Sequence, residues 1–267
     1  MHDIIAKIFN WVVMHRRTFL GYGALGIASL AFGSLNDTHF SQYFTSLEME
    51  AFEKARVRLG KVRGHIGFGN FNIVDFDTVL YYARNVSSIG EFTKDELSLL
   101  ERLFYEDPNK YGFFGKQTCK DITIQIKTKE VQKIPHSGHY VFKGEPLAAL
   151  EKLTDDIGPT LVLTSGIRGV PKQMELFLNK IKSCDGDMKQ AVKSIAPPAH
   201  SYHSIGDFDV GKKGFGHLNF SEEFAKTKEF EKLQTLPYIK TRYSPNNADG
   251  VQYEPWHVEI ITMANRV

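Results

Sequence analysis

The side chains best suited to chemistry lie in three short motifs in the second half of the chain. In chain order they occupy residues 165–168 (Ser-Gly-Ile-Arg), 201–209 (Ser-Tyr-His-Ser-Ile-Gly-Asp-Phe-Asp) and 254–257 (Glu-Pro-Trp-His). Each motif alone is weak, because a histidine near an aspartate is common in proteins. Together they provide two imidazoles, a carboxylate to bind metal and a further carboxylate that is left over. A catalytic zinc ion needs this combination: nitrogen or oxygen ligands, an open coordination position and a general base.

Each candidate residue has a role in that chemistry. His203, His257 and one aspartate would hold Zn²⁺, and the metal would lower the pKa of a water in the fourth position towards ~7. Glu254 would act as general base towards that water and would return the proton to a leaving amine. Arg168 follows a predicted buried strand, where its guanidinium would stabilise an oxyanion or hold a substrate carboxylate. These roles describe hydrolysis of a peptide bond.

Strand geometry leaves two points open. Side chains alternate along a strand, so Glu254 and His257 reach one metal only if the chain bends near Pro255. Asp207 and Asp209 would point the same way in a strand, so periodicity does not decide which of them is the ligand.

The motifs resemble those of the VanY-type D,D-carboxypeptidases, zinc peptidases that share a fold with the hedgehog signalling domain. The resemblance spans about residues 135–261 and includes Gln173, five residues after Arg168. By this resemblance, the metal ligands are His203, Asp209 and His257, the catalytic residues are Glu254 and Arg168, and the substrate contacts are Ser201 and Gln173. The expected substrate is the D-Ala-D-Ala end of peptidoglycan stem peptides.

One departure from the family pattern concerns the aspartate. The interval from His203 to Asp209 is one residue shorter than is usual in the family. Aligning backward from the apolar Val210 selects Asp209 as the ligand, and Asp207 stays as its rival.

Other functions remain compatible with the same residues. An L,D-carboxypeptidase or a cross-link endopeptidase would use the same metal, base and arginine. A non-catalytic, zinc-holding cell-wall module has no need of a carboxylate at Glu254, so the sequence favours an enzyme. Isolated histidines are usually structural, and this is the expectation for four others: His136, His139, His200 and His217.

The elements that position these motifs predict an α+β fold. Residues 34–130 have helical periodicity, and Thr93 with Glu96 forms a capping box at a helix start. Residues 131–267 read as the catalytic domain. Its predicted elements are helices near residues 145–156, 171–182 and 221–236, a strand at 160–164 and paired strands over 238–261. We therefore expect a small, mostly antiparallel sheet flanked by helices and preceded by a helical lobe.

The pattern of residues 1–33 predicts an export signal. Arg16 and Arg17 precede an apolar run at residues 21–33, a pattern that looks like a twin-arginine signal. The run is shorter than the ~20 residues of a comfortable membrane span, which favours a cleaved signal over an anchor, although the apolar residues 4–14 could contact a membrane surface. The expected location is the periplasm or cell envelope.

Composition excludes some classes of partner. The formal charge is +2, from 33 basic and 31 acidic residues, which is too small for a nucleic-acid-binding surface. Cys119 and Cys184 are too few for a disulfide scaffold, and the sequence does not decide whether they pair.

Overall fold

The computed structural model describes residues 38–261, so the predicted export segment lies outside the described residues. In chain order, the α-helices in this range are α1 (Thr38–Tyr43), α2 (Ser46–Ile66), α3 (Phe76–Asn85), α4 (Lys94–Tyr105), α5 (Glu145–Ile157), α6 (Val170–Ser183), α7 (Met188–Ala191) and α8 (Lys228–Leu233). The strands are β1 (Val131–Lys133), β2 (Tyr140–Phe142), β3 (Leu161–Ser165), β4 (Phe208–Lys212), β5 (Ile239–Tyr243) and β6 (Glu254–Ile260). No helix within residues 38–261 has the length and apolar character needed to span a membrane.

Capping boxes fix the first turns of α2 and α4. The Thr45 side chain accepts a hydrogen bond from the Glu48 backbone, and the Glu48 carboxylate accepts one from the Thr45 backbone. Thr93 and Glu96 make the same reciprocal pair at the start of α4, as the sequence predicted. Glu96 is fully buried and also pairs with Arg58 of α2 at 3.1 Å, so one carboxylate both starts α4 and holds it against α2.

An apolar core joins the helical region to α6. This core contains Phe52 and Leu59 of α2, Leu103 of α4, and Phe177 and Leu178 of α6. Because α6 begins shortly after the first motif, the same packing holds that motif in place. The domain boundary at residue 130 stays a prediction.

A four-stranded antiparallel sheet with the strand order β3-β4-β6-β5 carries the other two motifs. Phe208 and Val210 of β4 and Val258 of β6 point into a second apolar core, which α5 covers. Asp209 and His257, directly opposite each other in the register, lie on the other face because side chains alternate along a strand. The predicted α+β fold, a small antiparallel sheet flanked by helices, is confirmed.

The prediction of one helix over residues 221–236 is wrong. The chain forms a short 3₁₀ helix (Glu222–Lys226) and then α8. Thr227 separates them, because its backbone is extended and its side chain accepts a hydrogen bond from the Phe230 backbone, which starts a new helix. The β1–β2 hairpin, with three residues in each strand, gives no readable signal in the sequence because strands this short have too little periodicity.

Candidate metal centre

His203, Asp209 and His257 come together in a buried cluster beside the sheet. His203 lies on the 3₁₀ turn Tyr202–Ser204 that precedes β4, while Asp209 and His257 are opposite each other on β4 and β6. One potential ligand atom from each residue lies within 4.8 Å of the others. The Asp209 Oδ1 atom is 3.3 Å from His203 Nε2 and 3.6 Å from His257 Nδ1.

The orientation of His203 is set by a backbone carbonyl. Its Nδ1 atom lies 2.8 Å from the carbonyl oxygen of Gly166, which can only accept, so Nδ1 carries the hydrogen and Nε2 presents a lone pair to the cluster. Burial, together with the charge of Arg168, lowers the pKa of His203 to about 4. The imidazole is therefore neutral at neutral pH, which is the form that binds metal.

His257 is oriented from the opposite side. Its Nε2 atom lies 3.0 Å from Oδ2 of Asp207, so Nδ1 is the nitrogen that faces Asp209 and Glu254. Burial by itself lowers the pKa of His257, but hydrogen bonds to Asp207 and Glu254 and the charge of Asp209 raise it to about 9. The surroundings favour positive charge here, and either a proton or a metal ion would supply it.

The donor set fits a metal ion. His203 Nε2 and Asp209 Oδ1 are buried and have no hydrogen-bond partner, although they lie 3.3 Å apart. Both are acceptors. The hydrogen of His203 is on Nδ1. Burial raises the pKa of Asp209, but its contacts with the two histidines and the charge of Arg168 hold the pKa of this carboxyl well below its ordinary range. Two bare acceptors rarely face each other in a protein interior without a shared cation. Two imidazoles and one carboxylate are a donor set that zinc takes.

Asp207 and Asp209, the two rival ligands, occupy different positions. Asp209 faces the two histidines across the cluster, whereas Asp207 lies beyond His257 and contacts the nitrogen that points away from the cluster. The alternation of side chains along a strand does not distinguish the two aspartates if residues 207–210 form one strand. Asp207 lies just before β4, which begins at Phe208.

Glu254 borders the cluster. This first residue of β6 is buried, and its Oε2 atom is 3.4 Å from His257 Nδ1. The register between β5 and β6 is irregular here: Thr241 faces Val258, but Tyr243 faces Glu254, which leaves extra residues on β6 around Pro255. This irregularity gives Glu254 and His257 access to the same space. Burial raises the pKa of Glu254 above its ordinary value, which makes the carboxylate a better proton acceptor.

Arg168 contacts the cluster through Asp209. Its Nη2 atom donates to Asp209 Oδ2 at 2.5 Å, and its Nε atom donates to the Ser165 hydroxyl at 2.9 Å. Ser165 is also opposite Asp209 in the β3–β4 register. The guanidinium thus leaves one Asp209 oxygen facing the histidines.

The two predicted substrate contacts are both buried. Ser201 lies two residues before His203, and its carbonyl oxygen accepts hydrogen bonds from Thr118 and Ser204. Gln173 lies inside α6, where its amide nitrogen donates to the Ala196 carbonyl at 2.7 Å. Neither residue is among the three that form the cluster, and their substrate roles stay predictions.

Sequence reasoning missed the residues that orient the candidate ligands. The Gly166 carbonyl acts through the backbone, and the only signal for it was a glycine inside the first motif. A Cβ at Gly166 would clash with the carbonyl oxygen of Tyr140, so this close approach requires glycine. Arg242, which binds Asp207, belongs to none of the three motifs and carried no signal.

The fold and this centre define a class of protein. Its members have a small antiparallel sheet, a buried cluster of two histidines and one aspartate, and a glutamate beside the cluster. Residues 144–262 match the VanY family model, described as D-alanyl-D-alanine carboxypeptidase. The resemblance stated from the motifs is confirmed for this stretch of the chain.

Three solved structures are similar to part of the chain. The LdcB LD-carboxypeptidase is 26% identical, with 51% of this chain and 65% of that chain covered and a TM-score of 0.42. VanYB, solved in complex with D-Ala-D-Ala, is 21% identical over 51% of this chain and 78% of its own, with a TM-score of 0.39. The D,D-dipeptidase VanXYg, in complex with a D-Ala-D-Ala phosphinate analogue, is 22% identical over 46% of this chain and 51% of its own, with a TM-score of 0.41. No curated protein matches the chain.

Proposed function

We propose that this protein is a zinc-dependent D-alanyl-D-alanine carboxypeptidase, which hydrolyses the terminal D-Ala-D-Ala bond of peptidoglycan stem peptides. The observation that carries the proposal is the pair of bare, buried acceptors on His203 and Asp209, which His257 and Glu254 adjoin. All four residues lie within the stretch that matches the carboxypeptidase family model.

His203, Asp209 and His257 would hold the zinc ion. When bound, zinc supplies Lewis-acid polarisation of the scissile carbonyl and lowers the pKa of a water molecule. The remaining steps belong to side chains of the protein. Glu254 takes the proton of the attacking water and returns it to the leaving amine of D-alanine, a cycle that its raised pKa favours.

Arg168 contributes charge at the same place. Its guanidinium is largely buried and fixed by Asp209 and Ser165, so it adds a preorganised positive charge beside the proposed zinc site. Stabilising the oxyanion and binding the substrate carboxylate are both compatible with this position.

The proposed substrate places the reaction outside the cytoplasmic membrane. We therefore propose that residues 1–33 direct export, with Arg16 and Arg17 as the twin-arginine signal. Cleavage of this segment, or its retention as an anchor, is decided by the N-terminal sequence of the protein purified from the cell envelope.

Defined muropeptides test which peptide bond of the substrate the protein cleaves. The protein is incubated with a pentapeptide, a tetrapeptide and a cross-linked dimer, and the products are identified by mass spectrometry. We expect the loss of one alanine from the pentapeptide alone. A product only from the tetrapeptide would assign an L,D-carboxypeptidase instead, and cleavage only of the dimer would assign an endopeptidase. No product from any of the three would contradict the enzymatic proposal.

A further inference from the structure

Asp207 connects the candidate ligand His257 to an arginine. The Asp207 Oδ2 atom accepts hydrogen bonds from His257 Nε2 at 3.0 Å and from Arg242 Nε at 2.7 Å. Its Oδ1 atom accepts a further hydrogen bond from Arg242 Nη2 at 3.0 Å. This two-pronged contact fixes the plane of the carboxylate, and with it the direction from which His257 is held.

Arg242 is itself held in place by an aromatic ring. Its guanidinium carbon lies 3.9 Å from the ring centroid of Tyr202, the residue next to His203. The Tyr202 hydroxyl accepts a hydrogen bond from the Lys116 backbone and donates one to Asp249, each at 3.2 Å. The contacts therefore run from residue 116, which lies outside the matched residues 144–262, to the metal ligand.

A second set of contacts from the same segment reaches the turn that carries His203. The Thr118 hydroxyl lies 3.1 Å from the Ser201 carbonyl oxygen, and the Thr118 and Cys119 backbone N–H groups both donate to the Ala199 carbonyl. The carbonyl oxygen of Gly115 lies 3.1 Å from Nδ1 of His200. Residues 115–119 thus brace the loop from which His203 projects.

We propose that Asp207 and Arg242 are positioning residues for His257, and that Tyr202 and residues 115–119 hold this pair in register with the metal centre. The inference rests on the proposed zinc site. Partners of this kind select the tautomer and the ring orientation of a ligating histidine, and losing one typically weakens metal binding by ~10–100-fold. The segment before the family match is thereby part of the centre.

The same arginine provides a matched control. Arg242 Nη1 also pairs with Glu259 at 3.1 Å, on the side away from Asp207. The substitution Glu259→Gln removes this ion pair and keeps the contact with Asp207. Arg242→Met removes the guanidinium fork at similar side-chain length, and Asp207→Asn keeps an acceptor for His257 but sets an amide N–H₂ against Arg242.

The experiment measures zinc affinity and geometry in the full chain, not activity. Zinc dissociation constants come from competition with a chromophoric chelator, and cobalt substitution gives a d–d absorption spectrum that reports ligand geometry. Arg242→Met and Asp207→Asn should each weaken zinc binding by ~10–100-fold and alter the cobalt spectrum, while Glu259→Gln stays close to wild type. Arg242→Lys, which keeps the charge without the fork, should recover part of the loss.

Two results would overturn the inference in distinguishable ways. Wild-type zinc affinity and an unchanged cobalt spectrum in both Arg242→Met and Asp207→Asn would show that His257 needs no such support. Failure of the wild-type protein to bind zinc would remove the metal site itself, and the proposed function with it. Circular dichroism of each variant verifies that the affinities refer to folded protein.

Discussion

At the scale of single residues, the hydrogen bonds that each side chain makes with its surroundings determine which of its atoms points into the centre. His203 gives its Nδ1 hydrogen to Gly166, and His257 gives its Nε2 hydrogen to Asp207. One oxygen of Asp209 accepts a hydrogen bond from Arg168. What remains is one potential ligand atom from each residue, directed into the same buried space, with Glu254 at its border.

The substitution Glu254→Gln distinguishes the proposed role of Glu254 as general base from a role as metal ligand. Glutamine keeps the size and one acceptor but accepts no proton, so we expect activity to fall by ~10²–10⁴-fold while zinc content is unchanged. Activity is measured as released D-alanine, and zinc by elemental analysis. Glu130→Gln, which changes an exposed carboxylate, is the control and should behave as wild type. If Glu254→Gln loses zinc together with activity, Glu254 is a ligand and the assigned roles are wrong.

Much of this centre can be predicted from the sequence because residue type and spacing carry the information. The three motifs are sufficient to assign His203, His257 and Glu254 to one site. The choice between Asp207 and Asp209 cannot be made in this way, since it depends on where β4 begins. Arg242 gives no signal either, because its contact with Asp207 arises only when β5 and β4 join the same sheet.

At the scale of elements, the register of the sheet aligns polar residues of the site, and the connections next to the strands bring in the others. Ser165 is opposite Asp209 and Asp209 is opposite His257, so one row across β3, β4 and β6 carries three polar residues. The first motif then turns away from β3 beneath β2, where the Ile167 backbone donates to the Tyr140 carbonyl at 2.8 Å. That tight passage brings the Gly166 carbonyl to His203.

The substitution Gly166→Ala tests this passage. The added Cβ clashes with the backbone carbonyl of Tyr140, so β2 or the motif must move, and we expect a loss of about 1–3 kcal/mol in the free energy of unfolding. Zinc affinity should fall as well, because the carbonyl that orients His203 shifts. Urea denaturation and chelator competition measure the two effects.

Gly60→Ala is the matched control for this substitution. Gly60 lies inside α2 with nothing within 4 Å of an added Cβ, so alanine there should stabilise the protein by roughly 0.5–1 kcal/mol. Equal effects of the two substitutions on unfolding would contradict the account of the close approach at Gly166.

At the scale of the whole molecule, the helical region and the turn that carries His203 share one apolar core. The core that contains Phe52 and Leu103 also contains Phe177 of α6 and Tyr202, the neighbour of His203. Helical periodicity and the capping box at Thr93 are readable from local sequence. The shared core cannot be read from local sequence, because it results from contacts between residues far apart in the chain.

Zinc should stabilise the folded protein as a whole. A ligand that binds only the native state at about 100 times its dissociation constant adds ~2.7 kcal/mol, which for a chain of this size raises Tm by roughly 5–10 °C. Calorimetry of metal-free protein with and without added zinc measures the shift. His203→Ala, which lacks one ligand, should show a much smaller shift. The same shift in both proteins would mean that zinc binds elsewhere.

The most direct measurement of the central claim is release of D-alanine from a pentapeptide ending in D-Ala-D-Ala by one protein sample in three states. The sample is assayed loaded with zinc, after treatment with a chelator, and after zinc is returned. We predict release of one alanine per peptide by the loaded protein, none after chelation, and recovery on return of zinc. Release that continues unchanged without metal, or no release by the zinc-loaded protein, would contradict the account.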